Sequence, residues 1–209
     1  MAGSVIPTAW ASGCDFQTKV EQASVERVTE FFERQPKTVV TFVGYSGAGY
    51  EDEARMLETA SAVLKAFEPA HTIVNIGGTP EGIGAVYELA SRKGFQTTGI
   101  VSTQAKAYNA AMADCVEYVF FVEDSSWGGF VEGGDRLSPT SMAMVESSDL
   151  MVGIGGGEVG RDELVAARRS GKKVRFYPAD MNHEKARQKA RQKGLPAPTN
   201  FYGAADELL

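Results

Sequence analysis

The sequence predicts a doubly wound α/β fold, with helices on both faces of a mostly parallel sheet of about six strands. Three observations carry that prediction. Short β-branched and aromatic runs alternate with segments of helical period along the chain, a pattern that right-handed crossovers turn into a parallel sheet. The runs TVVTFV (38–43), YVFFV (118–122) and LMVGI (150–154) are apolar almost throughout, as strands covered on both faces are. The 23 glycines gather at 44–49, 77–84, 128–134 and 153–160, and three of these clusters fall at strand ends, where open parallel sheets bind ligands. A (β/α)8 barrel needs about 250 residues and eight such units, more than this chain supplies.

The elements follow in order. Residues 1–22 show no clear periodicity and are expected to form an irregular leader, which leaves 23–209 as a single domain. Val25, Val28, Phe31 and Phe32 recur at helical spacing over 24–34. The run 38–43 reads as the first strand, and Ala54, Leu57, Ala60, Leu64 and Phe67 mark a helical face over 51–67. TIVNI (72–76) is the next strand; the helix after it spans 81–93 and stops at Gly94. Strands at 96–101 and 118–122 enclose a shorter helical segment, and 138–147 reads as a helix. LMVGI precedes a helix over 161–170, then a sixth strand at 173–177 and a last helix near 183–193.

Bulk properties narrow the function classes. A chain of 209 residues buries roughly 70% of its unfolded surface, enough for a real core. No apolar run approaches the ~20 residues of a bilayer span, and the first residues lack the basic and apolar regions of a secretory signal. A cytoplasmic protein with no membrane partner is expected. The net charge of −6 opposes binding to a phosphate backbone, so no nucleic-acid partner is expected, and the basic stretch 185–193 reads as a solvated helix face. Cys14 and Cys115 form no CxxC pair or disulfide framework and are expected to be reduced, with Cys14 on the leader. His71 and His183 bring no metal-ligand spacing, so neither a metal nor a cofactor is expected.

The glycine clusters hold the candidate ligand-binding residues, since bare backbone lets amides approach an anion and the helix that follows offers its positive end. In the first cluster these are Gly44, Ser46, Gly47 and Gly49. The spacing there is GxxGxG, without the lysine of a P-loop or the GxGxxG of a dinucleotide fold. In the second they are Gly77, Gly78, Thr79 and Gly82. Gly82 and Gly84 inside a helix cost about 1 kcal/mol each relative to Ala, which points to close approach of either a packing strand or a ligand. In the third, GIGGGEVG at 153–160, they are Gly156, Gly157, Glu158 and Gly160, together with Arg161. Glu163 projects from the turn that follows, either toward a ligand or as an ordinary dipole-complementing acid. The fourth cluster lies in an aromatic-rich loop, 125–136. It reads equally as a lid or base-stacking element and as a subunit contact or plain flexible loop, and Lys106 and Tyr108 are candidates for either pocket or surface.

The second and third clusters together resemble the SMF/Lonely Guy (SLOG) superfamily of Rossmann-like nucleotide-binding proteins, over about residues 38–178. The Lonely Guy pattern PGGxGTxxE aligns without a gap on GGGEVGRDE at 155–163, agreeing at Gly156, Gly157 and Glu163 and differing at Gly155, Val159 and Gly160. GGTPEGIGA at 77–85 is similar to the family's GGGxxGLMG, with Thr79 in place of a glycine. Ser147, Ser148 and Asp149 stand where the family has a similar approach to its strand. The resemblance implies a phosphoribohydrolase that cleaves the N-glycosidic bond of a nucleoside 5′-monophosphate. Glycine turns would hold the phosphate and Glu163 would act as the catalytic carboxylate. It also implies a homodimer or higher homo-oligomer. The family's Arg-Lys pair falls at Thr140 and Ser141, neither of them basic, and Arg136 or Arg161 are the candidates to substitute. Two readings therefore stand side by side: a nucleotide N-glycosidase, and a protein that binds a nucleotide or nucleotide-derived signal without turning it over. NAD-dependent oxidoreduction is disfavoured, because Asn75 rather than an acid lies in the second strand.

Overall fold

The computed structural model describes residues 14, 16–132 and 134–207. Seven parallel strands form one sheet: β1 (Lys19–Ala23), β2 (Thr38–Gly44), β3 (Thr72–Ile76), β4 (Gln96–Ser102), β5 (Tyr118–Val122), β6 (Leu150–Ile154) and β7 (Lys173–Tyr177). The helices are α1 (Val25–Glu33), α2 (Glu53–Leu64), α3 (Val86–Arg92), α4 (Gln104–Ala107), α5 (Pro139–Glu146), α6 (Glu158–Arg169) and α7 (His183–Gln192). The strand order is β1-β5-β4-β3-β2-β6-β7. From β2 the chain winds outward through β3, β4 and β5, then returns past β2 to lay down β6 and β7. The carboxyl ends of β2 and β6 thus form the switch point where an open α/β sheet carries its crevice.

Alternation along each strand assigns the core to two layers. Val40, Phe42, Val74, Ile76 and Val152 pack in the cluster that includes Met56 and Leu64 of α2 and Val86 and Tyr87 of α3. Val39, Val43, Ile73 and Met151 point the other way, into the cluster with Val28 of α1, Met144 of α5 and Leu164 of α6. The second layer also holds a buried polar row. Asn75 donates to Thr41 Oγ1 at 3.2 Å and accepts from Thr98 Oγ1 at 3.0 Å, while Thr41 Oγ1 meets Ser148 Oγ at 2.6 Å. Each member has partners, so the row fixes register across β2, β3 and β4 without an orphaned group.

Helix ends follow local chemistry. Ser24, Asp52 and Asn182 cap α1, α2 and α7 by accepting from the backbone amide three residues on, at 3.3, 2.9 and 2.9 Å. Two expected helices start elsewhere. The segment expected as one helix over 81–93 opens with a 3-10 turn, Gly82–Ala85, before α3 begins. Gly82 takes φ +60°, where a side chain would strike the Tyr45 carbonyl, and a Cβ on Gly84 would strike that of Thr79. Packing of turn on turn therefore accounts for both glycines. In contrast α6 starts at Glu158, inside the third glycine cluster, with Gly157 as its N-cap.

Two expectations about the start of the chain are corrected. Residues 19–22, assigned to the irregular leader, belong to β1, which pairs in parallel with β5 from Lys19↔Tyr118 to Ala23↔Val122. An exposed edge strand is specified by its ladder rather than by burial, so KVEQA carries little hydrophobic pattern. Residues 1–13 and 15 lie outside the described residues. The cysteines, expected to be reduced, are joined as a Cys14–Cys115 disulfide with Cα atoms 5.4 Å apart. The cause is the same pairing: because β1 lies beside β5, the residues leading into each run together. Among the described residues no helix is long and apolar enough to cross a membrane, and no group of three or more His, Cys, Asp or Glu could hold a metal ion.

Candidate ligand-binding cavity

A cavity of about 340 Å³ opens at the carboxyl ends of β2, β3 and β4, within the ~300–1,000 Å³ range of small-molecule sites. Its floor is apolar, formed by Phe42, Ile76, Ile100 and Val101, and α5 and α6 supply Thr140, Met144, Val159, Gly160 and Glu163. The segment 110–112 closes one side. It is held there by the Ala113 amide, which donates to the Gly78 carbonyl at 3.0 Å.

Of the residues singled out in the sequence, Gly44, Ser46, Gly77, Gly78, Thr79, Gly160 and Glu163 converge on this cavity. The others do not line it. Gly47 is open to solvent, and Gly49 faces Asn182 and Lys185 at the head of α7. Gly82 packs on Tyr45, and Gly156 packs on Gly44 and Ala205. Gly157 and Glu158 are exposed at the start of α6. Arg136 is exposed in the loop after β5, in a small hairpin bridged by Phe130 and Leu137. Arg161 turns aside and pairs with Asp162 at 2.8 Å. Neither arginine reaches the cavity, and no Lys, Arg or His among the described residues lines it.

Among the described residues Glu163 is the one ionisable side chain in the lining, and it is only 4% exposed. Ser141 donates to its Oε1 at 2.6 Å and itself accepts from the Gly129 amide at 2.7 Å. Burial drives the Glu163 carboxyl up to about 7; the Ser141 hydroxyl opposes this, and the neighbouring Asp162 adds to it. Asp124 behaves in the opposite way. Burial alone would raise its pKa, but amides of Thr140 and Ser126 at 2.9 and 2.8 Å and nearby hydroxyls hold it below the usual carboxylate range. Its two oxygens fasten the start of α5 to the loop after β5.

Sequence reasoning missed two tyrosines that shape the glycine turns. Tyr50 donates to the Ile154 carbonyl at 2.7 Å and accepts from the Tyr45 amide at 3.2 Å, tying the tops of β2 and β6 together. Tyr87 donates to the Thr98 carbonyl at 2.9 Å and accepts from the Gly78 amide at 3.1 Å. Both amides are thereby taken by the protein itself. The first turn of α6 differs: its amides have no intrahelical partner and no side chain caps them. Lys106 lies over the Phe121 ring, 4.2 Å from its centroid, and does not line the cavity.

No protein-family model matches the chain, and no curated protein matches it. Among solved structures it is similar to TM1055, a structural-genomics target, at 21% identity over 66% of this chain and 72% of that one, with a TM-score of 0.46. It is also similar to the molybdenum cofactor carrier protein from Chlamydomonas reinhardtii. One structure of that protein gives 17% identity over 76% of this chain and 85% of that one, with a TM-score of 0.48. A second gives 18% identity over 67% and 76%, also with a TM-score of 0.48. Numbered from β2, the strands β5-β4-β3-β2-β6-β7 run in the order 4-3-2-1-5-6, a doubly wound parallel sheet whose order reverses beside its first strand as in Rossmann-like folds.

Proposed function

We propose that the cavity binds a nucleotide or nucleotide-derived small molecule without hydrolysing it. Its anionic group sits at the uncapped start of α6 and its remainder extends across the cavity toward the mouth. The observation that carries this reading is the lining itself. Free first-turn amides and strand-end glycines meet there, while the positions of the family's basic pair hold Thr140 and Ser141. A helix N-terminus binds a phosphate through amides and dipole alone. Stabilising an oxocarbenium ion asks more, namely a carboxylate ionised in the working state, and Glu163 sits in a site that favours its proton.

One feature supports the hydrolase as a second reading. Glu163 reaches the cavity with a pKa near neutrality, suited to proton transfer. Calorimetric titration with AMP, paired with chromatographic assay of free adenine after long incubation, separates the two. Saturable binding with no adenine above the enzyme-free control is the expected result. Adenine released in proportion to protein would replace the binder with the hydrolase, and absence of any binding across nucleoside monophosphates would reject both.

A further inference from the structure

We infer that Trp127 and Tyr108 form a stacking platform at the cavity mouth, so that the ligand carries a planar aromatic heterocycle beside its anionic group. This rests on the proposed use of the cavity as a ligand site and adds the chemistry of its second half. Trp127 is 54% exposed and Tyr108 69% exposed, and their ring centroids stand 5.7 Å apart. Trp127 lines the cavity, and Tyr108 ends α4, just before the segment that closes it. Large aromatic surfaces bared together at one opening mark a place where something else is meant to cover them.

The backbone beneath the indole is pinned on both sides. Before it, Ser126 gives its amide and hydroxyl to Asp124 Oδ1, both at 2.8 Å, and its carbonyl accepts from Ser102 Oγ at 2.6 Å. After it, the Gly129 amide binds Ser141 Oγ at 2.7 Å and the Phe130 amide binds Asp162 Oδ2 at 2.8 Å. The ring is therefore presented on a fixed support, which lowers the ordering cost of binding. Gly128, the next residue, lies so close to Val159 that a Cβ there would come within 2.9 Å of its Cγ1. Platform and α6 terminus are thus neighbours, placed to hold the ring and the anion of one small molecule. With no cation among the described residues that line the cavity, recognition of the ring falls to its π face, which every nucleobase offers.

The test uses the full chain carrying Trp10→Phe, which leaves Trp127 as its one tryptophan. AMP should quench Trp127 fluorescence saturably. Ribose 5-phosphate, which has the anion but no ring, should bind by calorimetry without quenching. Trp127→Ala should weaken AMP about ten-fold or more and leave ribose 5-phosphate within about two-fold, while Trp127→Phe and the exposed-site change Tyr108→Ala give intermediate losses in a folded protein. If AMP binds but Trp127→Ala and Tyr108→Ala leave its affinity unchanged, the platform is refuted and the cavity reading stands. If neither compound binds, the cavity reading itself fails. If the aromatic substitutions change the sedimentation of the protein but not its AMP affinity, the rings belong to a contact with another chain, and the inference is overturned.

Discussion

Replacing Glu163 by glutamine keeps the shape of a buried carboxyl and removes its titration, which makes the charge energetics of the cavity measurable. In the unfolded chain this carboxyl titrates at its ordinary 4.5, and in the folded protein burial moves it to about 7. Below 4.5 both states hold the proton and folding meets no penalty. Between the two values the unfolded chain releases a proton that the folded protein keeps, so stability falls as pH rises. Above about 7 both are ionised and the loss is complete. At 1.36 kcal/mol per unit, the whole change comes to about 3 kcal/mol. Glu163 is 4% exposed, so solvent screening takes little from that figure. The glutamine variant feels none of it, and titrating groups that do not interact with Glu163 cancel in the difference between the two proteins. Urea unfolding followed by far-UV circular dichroism at pH 5, 6, 7 and 8 should therefore show the variant gaining about 2–3 kcal/mol on the wild type across the series. A difference that stays constant with pH, or shrinks, would mean that the carboxylate is hydrated or paired with a cation, and the account of the cavity would be wrong.

Ser141→Ala removes the hydrogen bond that favours the ionised form, so the inflection that this series reports should move to higher pH; an unchanged inflection would separate Ser141 from Glu163. Reducing the Cys14–Cys115 link, or changing Cys14 to serine, frees a loop with a sequence separation of 101 and should cost about 2–5 kcal/mol, read as a lower urea midpoint. Ready alkylation of both thiols in the native, unreduced protein would contradict the pairing. Gly44→Ala places a methyl against the Tyr50 hydroxyl and 2.8 Å from the Ile154 carbonyl, which should cost about 1–3 kcal/mol. Gly47→Ala meets nothing within 4 Å and should stay within about 0.5 kcal/mol. Equal effects would show that the first turn is not packed as described.

The buried strands were legible because burial on both faces writes itself into sequence. TVVTFV, YVFFV and LMVGI have few other uses in a chain of this composition. β1 was not, since KVEQA owes its conformation to the ladder with β5, a partner some 100 residues away. The disulfide depends on the same non-local neighbour and was lost with it. The start of α6 was misplaced by three residues because glycine at 157 and 160 reads as loop, although a first helical turn tolerates it when packing and exposed amides are wanted. Glu163 is singled out by its motif, and the structure places it in the cavity lining. Its partner Ser141 entered only as a basic residue that was missing, since no local pattern announces a bond between positions 22 apart. Tyr50 and Tyr87 gave no signal either, because their hydroxyls act on turns brought near by the sheet.

The lack of a cation among the described residues that line the cavity and the raised titration of Glu163 are one physical fact seen from two sides. A carboxylate buried beside arginine or lysine is held ionised by the attraction of the cation, and its charge can then act on a ligand. At this site Ser141 offers a single hydroxyl instead, and Thr140 lends its amide to Asp124. Burial then decides the matter and raises Glu163 toward neutrality. The glycines beside the cavity are small for a packing reason: a Cβ on Gly44 would strike the Tyr50 hydroxyl, one on Gly82 the Tyr45 carbonyl and one on Gly84 the Thr79 carbonyl.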